Sequence, residues 1–165
     1  MDRAVLENVR ALCARTRAAS PTIATASHEL RVKALARMAD ALVAGGADIL
    51  TANETDLANA EANGVPRVML DRLALTKARV EGIADGIRAL IALPDPLASD
   101  ESWERPSGIQ ITRRVVPFGV LAMIFEARPN VTADAAALAV KSGKTPREVG
   151  AAEVRRVLTA RGVEL

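Results

Sequence analysis

Glu126-Ala127-Arg128-Pro129-Asn130 places a carboxylate, a guanidinium and a carboxamide within five positions. A guanidinium can grip a phosphate or carboxylate through two parallel N–H donors. A carboxamide can donate to the oxyanion that develops on a reacting carbonyl. Plainer readings stand beside these: Asn130 can cap the helix that follows, Arg128 can pair with Glu126 or Asp134, and Pro129 can shape the turn. On residue chemistry alone, both sets remain open.

The elements that must hold this turn are legible on either side. Gly119-Val120-Leu121-Ala122-Met123-Ile124-Phe125 has no polar side chain and no alternation, the pattern of a strand covered on both faces. From Val131 to Lys141 small residues dominate, so a helix there can lie close to a sheet. The unit is strand, turn, helix, with its polar residues at the carboxyl end of the strand, where open α/β sheets place ligands. Two phosphate-binding patterns fail. Gly143-Lys144-Thr145 imitates the end of a P-loop but follows a helix and has Leu138 where the earlier glycine belongs, and no G-x-G-x-x-G follows the strand.

A chain of 165 residues suits one domain or slightly more and can bury roughly 70% of its unfolded surface. Half of it is hydrophobic, yet only 2% is aromatic and there is no tyrosine, so the core must be aliphatic and rich in alanine. The net charge is +2 with signs interspersed, which disfavours nucleic acid. One cysteine excludes an internal disulfide framework and suits a reducing compartment. No stretch approaches the ~20 apolar residues of a membrane span, and the amino terminus lacks a signal-peptide pattern. The chain reads as soluble and cytoplasmic.

In order, residues 1–19 form an apolar helical face through Val5, Leu6, Val9, Leu12 and Cys13, ended by Ser20-Pro21. Cys13 reads as a small buried hydrophobe, having no activating base at hand. Ser27 caps a second helix with face Leu30, Ala34, Leu35, Met38 and Leu42, stopped by Gly45-Gly46. His28 reads as an exposed helix-start histidine without ligand partners. Residues 47–63 form a helix with a break at Asn53, Pro66 opens a short helix, and Thr76 caps one with Val80, Ile83, Ile87 and Ile91 inward. Glu54, Asp56 and Glu61 read as a solvated face, and no metal-ligand set is found. Residues 94–108 are a polar connector. Beyond it Ile109 to Arg114 alternate as a half-exposed strand whose Arg113-Arg114 pair keeps an edge soluble. Thr145-Pro146-Arg147-Glu148 is a capping box that predicts a last helix over 144–165.

Several strings together closely resemble gamma-glutamyl phosphate reductase. They are Val116-Pro117-Phe118-Gly119-Val120, Phe125-Glu126-Ala127-Arg128-Pro129-Asn130-Val131-Thr132, Asp134-Ala135-Ala136-Ala137-Leu138 and Lys141-Ser142-Gly143. Met69-Leu70-Asp71-Arg72-Leu73, Leu93-Pro94-Asp95-Pro96 and Arg105-Pro106-Ser107-Gly108 are similar to the same family in the same order. The resemblance implies the aldehyde dehydrogenase superfamily and the NADPH-dependent reduction of L-glutamyl 5-phosphate to glutamate 5-semialdehyde in proline biosynthesis. It further implies Asn130 as an oxyanion donor, and Phe125, Glu126 and Arg128 at the cofactor edge. Arg128 is also a candidate for the substrate phosphate.

After Lys141-Ser142-Gly143 the sequence departs from the family, whose second apolar strand and cysteine-bearing domain have no counterpart here. The expected fold is therefore α/β by ancestry and mostly helical in content, a truncated aldehyde-dehydrogenase-like cofactor domain. Its parts are an amino-terminal helical region (1–93), the connector (94–108), the strand-turn-helix part of a dinucleotide-binding domain (109–143) with short strands near 109–125, and a divergent carboxy-terminal helix (144–165), making two closing helices. The isolated chain is expected to be inactive. The alternative is a non-catalytic helical module that binds a partner chain, and a homo-oligomer is one such assembly.

Overall fold

A computed structural model of the chain describes residues 3–98, 100–117, 119–125, 128–143 and 145–150. It is mostly helical. Five helices come first: α1 (Arg3–Ala24), α2 (His28–Ala44), α3 (Gly46–Ala62), α4 (Arg67–Leu73) and α5 (Lys77–Ala92). Strands β1 (Glu101–Glu104), β2 (Gln110–Arg113) and β3 (Val120–Phe125) precede helix α6 (Pro129–Lys141) and strand β4 (Thr145–Gly150).

Helix starts follow local chemistry. The Ser27 hydroxyl accepts the Leu30 N–H at 3.2 Å and that of Thr76 accepts the Arg79 N–H at 3.2 Å, so both expected caps form. The expected stop at Ser20-Pro21 does not occur. Pro21 lies inside α1, near enough to its end that its missing N–H removes a bond only from the last turn. Asn53 does not break α3 either. It is buried within that helix, its amide donating to the Leu73 carbonyl at 3.0 Å while its oxygen accepts the Leu75 N–H at 2.7 Å. The connection between α4 and α5 is thereby tied down.

The core is where α2, α5 and α6 meet. Leu35, Ala39, Ala84, Ile87, Ala137 and Val140 form the buried cluster, with Ala34, Met38 and Leu42 packed at its edge. Burial of Leu35 and Ile87 contributes roughly 1.5–3 kcal/mol each, and the alanines let the helices approach. Leu30, expected inward, is exposed; Arg31 takes the buried position beside it.

Three strand expectations are corrected. β1 lies inside the expected connector, pairing antiparallel with β2 so that Trp103 faces Ile111 across the hairpin. Its residues are all exposed, and polar ties hold it: Ser102 to Thr112 at 2.9 Å, Glu101 to Arg113 at 2.8 Å and Asp100 to Arg114 at 2.8 Å. β3 is a strand, but its side chains are not covered on both faces. Val120 and Ala122 are exposed because β3 has one neighbour among the described residues. That neighbour is β4, parallel to β3, in the stretch where a capping box predicted helix. A parallel strand reached through α6 gives a β3-α6-β4 unit, and the backbone pairing with β3 overrides the local capping signal. The remainder of that expected helix lies outside the described residues.

The carboxyl end of α6 is fastened to the helical layer. Arg31 on α2 donates to both oxygens of Asp95, at 2.9 and 2.8 Å, and to the Lys141 carbonyl at 2.9 Å. Lys141, itself buried, donates to the Leu93 carbonyl at 2.7 Å. Burial alone would push the Asp95 carboxyl up, but the Leu97 N–H and the Arg31 guanidinium outweigh it and hold the group below its ordinary value. His28, expected to be free at the helix start, instead has Nδ1 3.6 Å from Asp95. Gly143 follows with φ +68°, and a Cβ there would lie 2.9 Å from Leu97 Cδ1.

Candidate functional site

A cleft of about 450 Å³ opens at the other end of α6. One wall comes from the end of α4, the following turn and the first half of α5, including Asp71, Arg72, Ala74, Leu75, Arg79 and Ile83. The other is the start of α6: Arg128, Pro129, Asn130 and Asp134. The Asn53 ties described above fix the backbone on either side of Ala74, so a buried amide on α3 shapes the first wall.

Each charged group on the two walls has a distinct environment. Arg79 is occupied, donating to the Asp71 and Ala74 carbonyls at 2.7 Å each and facing the Asp71 carboxylate at 3.4 Å. Among the described residues the Arg72 side chain makes one polar contact, 3.9 Å to the Met69 sulfur. Arg128 is exposed; its carbonyl accepts the Val131 N–H at 3.2 Å, and its side chain makes no ion pair or hydrogen bond among the described residues. Asp134, half-buried, accepts a hydrogen bond from the Asn130 amide nitrogen at 3.0 Å and has no cationic partner among the described residues.

Of the residues singled out from sequence, Arg128 and Asn130 are brought together here. Arg128 is the residue that precedes α6 and Pro129 is its first, so Asn130 sits one position inside and does not cap the helix with its side chain. Its amide group is turned towards Asp134, which leaves one amide hydrogen uncommitted. Phe125 ends β3, half-buried, and does not line the cleft. Glu126 lies outside the described residues, so the expected Arg128–Glu126 pairing does too. Cys13, on α1, is half-buried and away from the cleft lining.

Sequence reasoning missed the α4–α5 wall. Asp71 and Arg72 entered only as part of a resembling string, and nothing in their spacing ties them to a turn more than fifty positions later.

No protein-family model matches the chain. Curated relatives do. It is 52% identical over 144 residues to the gamma-glutamyl phosphate reductase of Caulobacter vibrioides, a match covering 87% of this chain and 32% of the relative. Against the protein of the same name from Syntrophomonas wolfei the identity is 44%, covering 87% and 34%. The crystal structure of gamma-glutamyl phosphate reductase from Thermotoga maritima superposes with a TM-score of 0.81 at 32% identity, covering 94% of this chain and 40% of that one. The chain matches the amino-terminal part of gamma-glutamyl phosphate reductase. It spans about a third of the length of the curated reductases it matches. The reductase from Saccharomyces cerevisiae shares the fold as well, with a TM-score of 0.78 at 30% identity, over 93% of this chain and 43% of its own. The α/β, mostly helical character expected from sequence therefore holds. No helix among the described residues is long and apolar enough to cross a membrane.

Proposed function

We propose that this chain supplies one side of the active cleft of an NADPH-dependent gamma-glutamyl phosphate reductase of the aldehyde dehydrogenase superfamily. The reaction would convert L-glutamyl 5-phosphate to L-glutamate 5-semialdehyde, for proline biosynthesis in the cytoplasm. One observation carries the reading: Asn130 and Arg128, whose guanidinium has no partner among the described residues, line the same cleft, beyond the carboxyl end of β3.

The chemistry asks for a thiolate that displaces phosphate from the acyl carbon, and for hydride delivered to the resulting thioester. In each step negative charge gathers on the carbonyl oxygen. The uncommitted amide hydrogen of Asn130 is suited to receive that charge, with Asp134 holding the amide in register. A guanidinium with no side-chain partner among the described residues, as at Arg128, is suited to take a phosphate in bidentate fashion. NADPH would supply the hydride. A strand-turn-helix unit continued by a parallel strand fits a dinucleotide, with Phe125, Glu126 and Arg128 as its contacts in this chain.

These 165 residues hold one cysteine, Cys13, and it does not line the cleft. The purified chain alone is therefore expected to be inactive, the thiol coming from elsewhere in a longer assembly. Two measurements test the reading. NADPH-dependent formation of glutamate semialdehyde by the purified chain would refute the dependence on an outside thiol. In a chimera, residues 24–143 replace the matching segment of the Caulobacter vibrioides enzyme. It should reduce L-glutamyl 5-phosphate, and Asn130→Ala in it should lower kcat by about 10²–10³-fold. An unchanged kcat would remove Asn130 from the mechanism.

The second reading, a helical module that docks on a partner or another copy, draws on the exposed Val120 and Ala122. A compact monomer at every concentration in sedimentation would argue against it.

A further inference from the structure

An acid and two bases face one cleft without neutralising each other. Asp134 is half-buried, and its one partner is the uncharged Asn130 amide. Arg72 and Arg128 have no carboxylate partner among the described residues, and neither pairs with Asp134 across the intervening space. Asp71, by contrast, already faces Arg79. A ligand that was only anionic would be served by the arginines and repelled by Asp134. A ligand carrying an ammonium and carboxylate at one end, and a further anionic group at the other, would satisfy all three.

We propose that this cleft recognises the α-amino-acid end of a glutamyl ligand, Asp134 receiving its ammonium and Arg72 its α-carboxylate. The inference rests on the reductase reading above and extends it to the end of the substrate that does not react. The adjacency supports it: the Asn130 amide nitrogen and the Asp134 carboxylate lie 3.0 Å apart on one face of α6, and a glutamyl chain carries its ammonium and its side-chain carbonyl close enough together for one molecule to reach both groups. A carbonyl at Asn130 then brings the ammonium to Asp134. A half-buried carboxylate is a stronger partner for that ammonium than a fully solvated one, because less water competes.

The test is an NMR titration of the ¹⁵N-labelled chain with L-glutamate, with glutarate, which lacks the ammonium, and with 4-aminobutyrate, which lacks the α-carboxylate. L-Glutamate should shift the amides of α6 near Asp134 and of α4 near Arg72, with an affinity about tenfold or more above either analogue, a gap of roughly 1.4 kcal/mol. Asp134→Asn should bring glutamate down to the level of glutarate, and Arg72→Gln to that of 4-aminobutyrate. Asp56→Asn, on the exposed face of α3 and away from the cleft lining, should leave the preference intact, and unchanged amide positions away from the cleft show that each variant is folded. Equal binding of glutarate and glutamate, shifts that map elsewhere, or no saturable shift with any of the three would overturn the proposal. The outcome is separable from the reductase reading. A retained glutamate preference with an Asn130-independent chimera sinks the reaction, whereas an Asn130-dependent chimera without the preference sinks this subsite.

Discussion

The two ends of α6 are opposites. At its carboxyl end the polar groups are engaged: Arg31 spans Asp95 and the Lys141 carbonyl, and the Lys141 ammonium donates to the Leu93 carbonyl. At its amino end Arg128 and Asp134 enter a cleft with no ion-pair partner among the described residues. Both ends belong to one helix of thirteen residues, so a rod anchored at one end presents the cleft-lining groups at the other. The buried hydrogen bonds are concentrated at the carboxyl end, whereas Arg128 and Asp134 face the cleft without an ion pair among the described residues.

The sharpest way to break this contrast is at the anchored end. Arg31→Met should cost about 3–5 kcal/mol in urea unfolding followed by circular dichroism, because it strands Asp95 and the Lys141 carbonyl. The lower figure is favoured, since Asp95 keeps 16% of its side chain exposed and can recover water. Replacing both members of the pair with apolar residues should recover part of the loss. Asn53→Ala, which orphans the Leu73 carbonyl and the Leu75 N–H, should cost about 1–3 kcal/mol by the same measurement. Gly143→Ala should cost a comparable amount, about 1–3 kcal/mol, from left-handed backbone strain and the clash with Leu97.

The anchor should also show in acid. The Asp95 carboxyl is held below its ordinary value of 3.8 in the folded chain. Its contribution is therefore fully present above that value and is lost as pH falls through the lower, folded one. Acid titration of stability should steepen below pH 3.8, and Asp95→Asn should flatten that part of the curve. The smallest effect belongs to the cleft: Arg128→Gln should change stability by no more than about 0.5 kcal/mol. A loss as large as that of Arg31→Met would erase the distinction between the two ends.

What the sequence made legible was short in range. Ser27 and Thr76 capped where expected because a hydroxyl and the N–H three residues on are neighbours whatever else the chain does. The Arg128-to-Asn130 turn was found for the same reason, since a strand followed directly by a helix puts it at a sheet end. Long-range effects were hidden. Leu93-Pro94-Asp95-Pro96 read as a connector, and nothing local says that Asp95 meets Arg31, sixty-four positions away. Asn53 read as a break in its helix because asparagine favours caps over helix interiors, yet two distant backbone groups claimed its side chain. The strand character of Thr145–Gly150 lies in its pairing with Val120–Phe125, which a capping-box pattern cannot reveal.

The β1–β2 hairpin has a practical consequence. Trp103 is the sequence's one tryptophan and there is no tyrosine, so nearly all intrinsic ultraviolet emission originates on an exposed strand outside the Leu35–Ile87 cluster. Fluorescence therefore reports on the ribbon and ellipticity on the helices, giving two unlabelled optical channels for separate parts of one small molecule.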